Sequence, residues 1–204
     1  TDDELHAMGV IVVAAAGNDS TSLPLYPAAY DSVIAVSATT ITNSIAPYSN
    51  FGPAIDVAAP GGYGGTDVNG DALADAVFST IGDDSQGSPA FRYGGLTGTS
   101  MAAPHVSGVV ALMKTLYPDL RPQDVELALV AGAITDDFGP AGRDDDYGWG
   151  LINAQKAVAT AIDLANGTGP DPGPVPAVVP SSLNFGWFED TLFAEVANLG
   201  TGSV

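Results

Sequence analysis

The sequence predicts an α/β domain built on a mostly parallel sheet, followed by the beginning of an all-β module. Three observations carry this expectation. β-branched apolar runs without polar alternation recur at residues 9–16, 32–38 and 55–59, as in strands buried on both faces of a parallel sheet. Apolar segments of helical length accompany them at 99–117, 123–132 and 153–164. After Ala165 the composition changes to Pro and Gly and then to short strand-like segments, the mark of a linker leading into a second module.

Taken in order, residues 1–8 read as a short helix tail. The first strand run ends in Gly17-Asn18-Asp19 and the third is closed by Pro60-Gly61-Gly62. Residues 61–95 are rich in Gly and Asp and read as one long loop, a length that is usually functional or tied down. The helix at 99–117 is apolar nearly all round and is expected to run through a core. His105, Ser107 and Lys114 interrupt it too much for a membrane span. Arg121-Pro122 opens the next helix with Pro in its first turn. Residues 1–165 are therefore assigned to the body and 166–179 to a Pro/Gly linker. Residues 180–204 read as a truncated β-sandwich start, with strands near 182–186 and 192–198.

Composition bounds the function. The 204 residues include 20 Asp and 4 Glu but only 5 Lys plus Arg, a formal charge of −19. Nucleic-acid binding is excluded, because phosphates need clustered cations, and so is docking on anionic membranes. With no cysteine, neither a disulfide framework nor a thiolate metal site exists. The carboxylates are mostly Asp, which suits turns, caps and hard-cation sites. The chain starts at Thr1 without an initiator Met and ends in strand-like sequence, so it reads as part of a longer protein.

The chemistry is concentrated in Leu96-Thr97-Gly98-Thr99-Ser100-Met101-Ala102-Ala103-Pro104-His105-Val106. Ser100 lies between a Gly turn and the start of an apolar helix, where unpaired N–H groups and the helix dipole favour negative charge. A nucleophilic Ser there aims its own N–H at a developing oxyanion. Taken alone, Ser at this place is an ordinary N-cap. Asn18 follows a buried strand, at the end of the sheet where α/β proteins place ligands, and its amide is a candidate second oxyanion donor. Its ordinary reading is a turn residue.

These segments resemble the subtilisin-like serine proteases. Val12–Asn18, Tyr26-Pro27-Ala28, Val33–Val36, Asp56–Gly61, Gly98–Val106 and Tyr147–Ala154 match in order and spacing over about residues 1–160. The resemblance implies a three-layer αβα fold and peptide-bond hydrolysis through an acyl-enzyme on Ser100, with Asn18 in the oxyanion hole. It implies that Ala14, Ala15, Ala16, Gly17 and Leu25 help line the primary substrate pocket. Some members carry Gly where Leu25 stands, so a shallower pocket is expected. The Tyr26-Pro27 bond is cis in well-known relatives. Asp56 matches a family position near a cation site.

A Ser nucleophile needs a base and an orienting acid. Of the two histidines, His105 lies five residues beyond Ser100 on the same helix, points away from it, and reads as a core residue. His6 reads as a surface residue. Family triads run Asp, His, Ser, which places both partners upstream of Thr1, in a missing N-terminal half of the same domain. The chain alone is expected to be inactive.

Asp67, Asn69, Asp71 and Asp75 place oxygens at relative positions 1, 3, 5 and 9, and Leu73 adds a backbone carbonyl at 7. That is the spacing of calcium loops, although Ala72 stands at position 6 and Phe78 at position 12. It resembles the shorter calcium loops inserted in some secreted subtilases; the ordinary reading is a solvated acidic loop. Asp83-Asp84 and Asp144-Asp145-Asp146 read as solvated turns. Asn166-Gly167-Thr168 fits a glycosylation sequon. Residues 180–204 resemble the opening of an immunoglobulin-like (Ig-like) β-sandwich. The whole reads as a secreted serine endopeptidase acting on protein or peptide substrates. The rival reading is a non-catalytic, calcium-stabilised adhesion or binding protein on the same scaffold; an upstream Asp and His separate the two.

Overall fold

A computed structural model describes residues 1–65, 67–85, 87–88, 90–170, 176–179 and 195–198. The chain runs α1 (Asp2–Ala7), β1 (Val12–Ala15), β2 (Val33–Thr39), β3 (Val57–Pro60), β4 (Val77–Asp83), β5 (Ala90–Leu96), α2 (Thr99–Leu116) and α3 (Pro122–Val130). It continues through β6 (Thr135–Asp136), β7 (Leu151–Ile152), α4 (Ala154–Ala165), β8 (Pro176–Val179) and β9 (Glu195–Asn198). The main sheet has the order β1-β2-β3-β7-β6, parallel except for the β6–β7 pair.

The predicted parallel strands are present, and their burial follows their place in the sheet. β2 is buried at every residue, because β1 and β3 flank it. β1 is only half-buried, against the expectation of burial on both faces. It is the edge strand, and among the described residues nothing pairs with its outer side.

The core lies between this sheet and α2, α3 and α4. Val36, Val57, Val106, Met113, Val125 and Ile134 are each at most 1% exposed; full burial of such side chains stabilises by about 1.5–3 kcal/mol each. α2 departs from the all-round burial expected of it. Ala102, Val106, Val109, Val110 and Met113 face the core, while Pro104, His105, Gly108, Ala111, Leu112 and Leu116 are exposed. The spacing of the buried set is that of a one-sided helix; the outer side is apolar but uncovered.

The 61–95 stretch is not one loop. Half of it is an antiparallel hairpin, β4 with β5, in which Phe78 sits opposite Gly95 and Gly82 opposite Phe91. Glycines disfavour strands, which hid this hairpin from the pattern. β8 falls inside the predicted linker and pairs antiparallel with β9. β9 lies within the strand expected at 192–198, whereas the strand expected at 182–186 lies outside the described residues. No described helix is long and apolar enough to cross a membrane.

Candidate active site

The site forms where the C-terminal end of β1 meets the N-terminal end of α2. Gly17 turns the chain out of the sheet with φ +109° and leaves Asn18 exposed at the turn. Gly98 precedes α2 with φ +148°, so Thr99 is its first residue and Ser100 its second. Thr99 is fully buried and Ser100 is exposed.

Thr99 joins the two turns. Its N–H and its hydroxyl both donate to Asn18 Oδ1, at 2.9 and 3.0 Å. The same hydroxyl oxygen accepts from the Gly17 N–H at 3.2 Å. The acceptor side of the Asn18 amide is thus occupied, which leaves Nδ2 as a donor beside the Gly98-Thr99 turn that precedes Ser100. The Ser100 N–H lies in the first helical turn, where helices have no internal acceptors. Beneath this turn the Gly98 N–H donates to the Gly61 carbonyl at 3.0 Å, and the Tyr48 hydroxyl donates to the Gly62 carbonyl at 2.7 Å. A Cβ built on Gly98 would lie 3.6 Å from Asn18 Nδ2 and 3.7 Å from the Ser100 nitrogen, so both nitrogens flank the turn at the head of α2.

Comparisons with known proteins bear on this arrangement. The family model described as "Subtilase family" matches residues 2–150. The chain belongs to the subtilase family. It is 39% identical over 159 residues to an extracellular protease of Xanthomonas campestris pv. campestris, covering 76% of this chain and 24% of that protein. It is 38% identical to subtilisin DY of Bacillus licheniformis, covering 76% of this chain and 49% of that protein. A solved protease structure from Pseudoalteromonas arctica superposes with a TM-score of 0.65 at 37% identity, over 78% of this chain and 45% of the other. The body is thus a subtilase αβα fold, and the chain spans about a quarter to a half of the length of these relatives.

The other residues singled out in this subtilase divide into those drawn to the site and those kept away. Ala14, Ala15, Ala16 and Gly17 form the end of β1 and the start of its turn. Leu25 lies against them: a Cβ built on Gly17 would sit 2.7 Å from Leu25 Cδ2. A cavity of only about 40 Å³ remains between Ala16, Leu23, Leu25, Ala28 and Phe51. The Tyr26-Pro27 bond is cis.

Neither histidine reaches Ser100. His105 is exposed rather than in the core, and its Nδ1 lies 2.8 Å from the Met101 carbonyl one helical turn back. His6 is not a plain surface residue. It is half-buried and its Nε2 lies 2.8 Å from Glu126 Oε1, tying α1 to α3.

The acidic loop folds around its own backbone. Asp67 accepts N–H bonds from Gly70, Asp71 and Ala72 at 2.7–3.1 Å. Asn69 Nδ2 donates to Asp71 Oδ2 at 2.9 Å, and Asp71 Oδ1 accepts from the Leu73 N–H at 2.8 Å. Ala72 takes φ +67°, a left-handed turn that L-residues seldom adopt. Asp75 is buried and its Oδ2 accepts from the Val68 N–H at 2.8 Å. The oxygen donors suit a hard cation, but among the described residues no three acidic or His side chains gather closely enough to hold a metal ion.

Asp56 faces the protein's own cation. Burial pushes its carboxyl up to about 6, opposed by the Ala35 N–H that it accepts and by the Arg143 guanidinium. Arg143 in turn donates to the carbonyls of Pro53 and Ile55. Thr99 is the residue of this candidate site that sequence reasoning passes over. The signal is present, since it stands next to Ser100, but only the fold places its hydroxyl on Asn18.

Proposed function

We propose that this chain is the serine-bearing part of a secreted serine endopeptidase, with Ser100 as the acyl-forming nucleophile. The carrying observation is the anchoring of Asn18 Oδ1 by Thr99, which leaves the Asn18 amide N–H to donate at the head of α2. When Ser100 Oγ attacks a peptide carbonyl, charge collects on the carbonyl oxygen. Asn18 Nδ2 and the Ser100 N–H stabilise that charge without reorganisation. Loss of the oxyanion-hole Asn in a subtilisin lowers kcat by about a hundred- to a thousandfold, which sets the scale expected for Asn18.

The general base and its orienting acid come from upstream of Thr1. Two features support this: His6 and His105 are engaged elsewhere, and the relatives are two to four times longer than the matched span. The outer edge of β1 and the exposed apolar side of α2 are where that upstream segment packs. Relatives named as extracellular proteases support secretion.

Leu25 and the strand end 14–17 form the base of the primary pocket, which takes small to medium side chains. Calcium belongs to the proposal on residue type and spacing, with Asp67, Asn69, Asp71, the Leu73 carbonyl and Asp75 as its donors; its part is to hold the loop, not to take part in the reaction. In the full-length protein, Ser100→Ala abolishes peptide hydrolysis and Asn18→Ala lowers kcat about a hundredfold at nearly constant KM. A Ser100→Ala protein that keeps its activity refutes the reading.

A further inference from the structure

Asn50 lies between β2 and β3 and is 3% exposed. Its main-chain N–H donates to the Gly17 carbonyl at 3.0 Å. Its Nδ2 donates to the Ala16 carbonyl at 2.9 Å. Its Oδ1 accepts from the N–H groups of Asp19 and Thr21, at 2.9 and 3.3 Å. One buried residue thus grips positions 16, 17, 19 and 21, on both sides of Asn18. Both acceptor sites of its amide oxygen are filled. The fit is close: a Cβ on Gly17 would fall 2.3 Å from Asn50 Nδ2.

The neighbours of Asn50 extend the brace to both sides of the site. The Tyr48 carbonyl accepts from the Ser20 N–H, and the Phe51 N–H donates to the Thr21 carbonyl. The Tyr48 hydroxyl reaches the Gly62 carbonyl, next to the Gly61 carbonyl that holds the Gly98 turn. Residues 48–51 therefore touch both the Asn18 turn and the support of the Ser100 turn.

We propose that Asn50 is a positioning residue for the reaction, which fixes the 16–21 turn so that the Asn18 amide points at the developing oxyanion. The inference rests on the reading of Asn18 as oxyanion donor. Thr99 holds the Asn18 side chain from the helix side, and Asn50 holds its backbone from the sheet side. Donors gain their effect from being fixed before charge develops, and misplacement by about 1 Å costs on the order of a hundredfold. A loosened turn still presents the amide part of the time, so the expected loss is smaller, on the order of tenfold.

The test is a double-mutant cycle in the full-length protein, with kcat and KM measured on a peptide substrate. Asn50→Ala should lower kcat on the order of tenfold with KM within about twofold. In an Asn18→Ala background the same change should lower kcat by less than about twofold, because the group it positions is gone. Where Asn50→Ala does not fold, Asn50→Ser carries the same cycle, since it removes the amide bonds to positions 16, 19 and 21 and buries no charge. Equal losses in both backgrounds, a loss confined to KM, or an unchanged kcat would overturn the inference. An Asn18→Ala protein with full kcat overturns the oxyanion reading itself, and this inference with it.

Discussion

Thr99→Val removes one oxygen from the centre of the site while keeping nearly the same shape. Thr99 is fully buried, so no water replaces the hydroxyl. Two bonds are lost: the one to Asn18 Oδ1 at 3.0 Å and the one from the Gly17 N–H at 3.2 Å. The Thr99 N–H still holds Asn18 Oδ1 at 2.9 Å. A buried N–H left without a partner costs about 1–3 kcal/mol, and a lost neutral bond about 0.5–1.5 kcal/mol. The variant should therefore be destabilised by roughly 1.5–4.5 kcal/mol. For kcat the ceiling is the loss of the whole donor, about a hundred- to a thousandfold. With one of the two anchors intact, a loss on the order of tenfold is expected, equivalent to about 1.4 kcal/mol. The assay is kcat on a chromogenic peptide in the full-length protein, well below the variant's melting temperature and normalised by active-site titration. Thr99→Ser keeps the hydroxyl and should recover most of kcat. A Val variant with full kcat, or a Ser variant as slow as Val, refutes the role given to Thr99.

Asp56 sets a pH dependence. Its folded pKa, about 6, exceeds the ordinary value of 3.8, so the folded state holds a proton that the unfolded state has released. Its contribution to stability is full below pH ~4 and declines as pH rises through ~6, by about 3 kcal/mol in total. Asp56→Asn should remove that decline, seen as a flatter plot of melting temperature against pH between 4 and 6; an unchanged slope contradicts the assignment. Leu25→Gly should deepen the primary pocket and raise kcat/KM for large aromatic side chains over small ones by about tenfold or more, read from a panel of peptide substrates. Saturating calcium should raise the melting temperature of the full-length protein, and Asp67→Ala should abolish the rise; equal melting with calcium and with chelator rules out the calcium loop.

Legibility in the sequence followed the physics of each element. β2 and β3 were plain because strands inside a parallel sheet are apolar on both faces, as Val33–Val36 and Val57–Ala59 are. Ser100 and Asn18 stand out as candidates because eleven residues around the Ser and the Ala-Gly-Asn turn carry the family resemblance. The hairpin β4–β5 was not, since Gly82, Gly94 and Gly95 break the alternation that marks strands. The one-sided burial of α2 was hidden because its outer residues, Pro104, Ala111, Leu112 and Leu116, are as apolar as its inner ones. Thr99 and Asn50 act by reaching residues more than thirty positions away, and no local pattern encodes such contacts. His105 looked like a core residue for the same reason as α2: composition cannot say which side of a helix is covered.

The central claim is that Ser100 is a nucleophile whose activation comes from outside this chain. Mass spectrometry after treatment with a serine-directed phosphonate tests it directly. An adduct is expected on the Ser100 peptide of the full-length protein, and none on the isolated chain of 204 residues. Stoichiometric labelling of the isolated chain, or an adduct on another serine of the full-length protein, would contradict it.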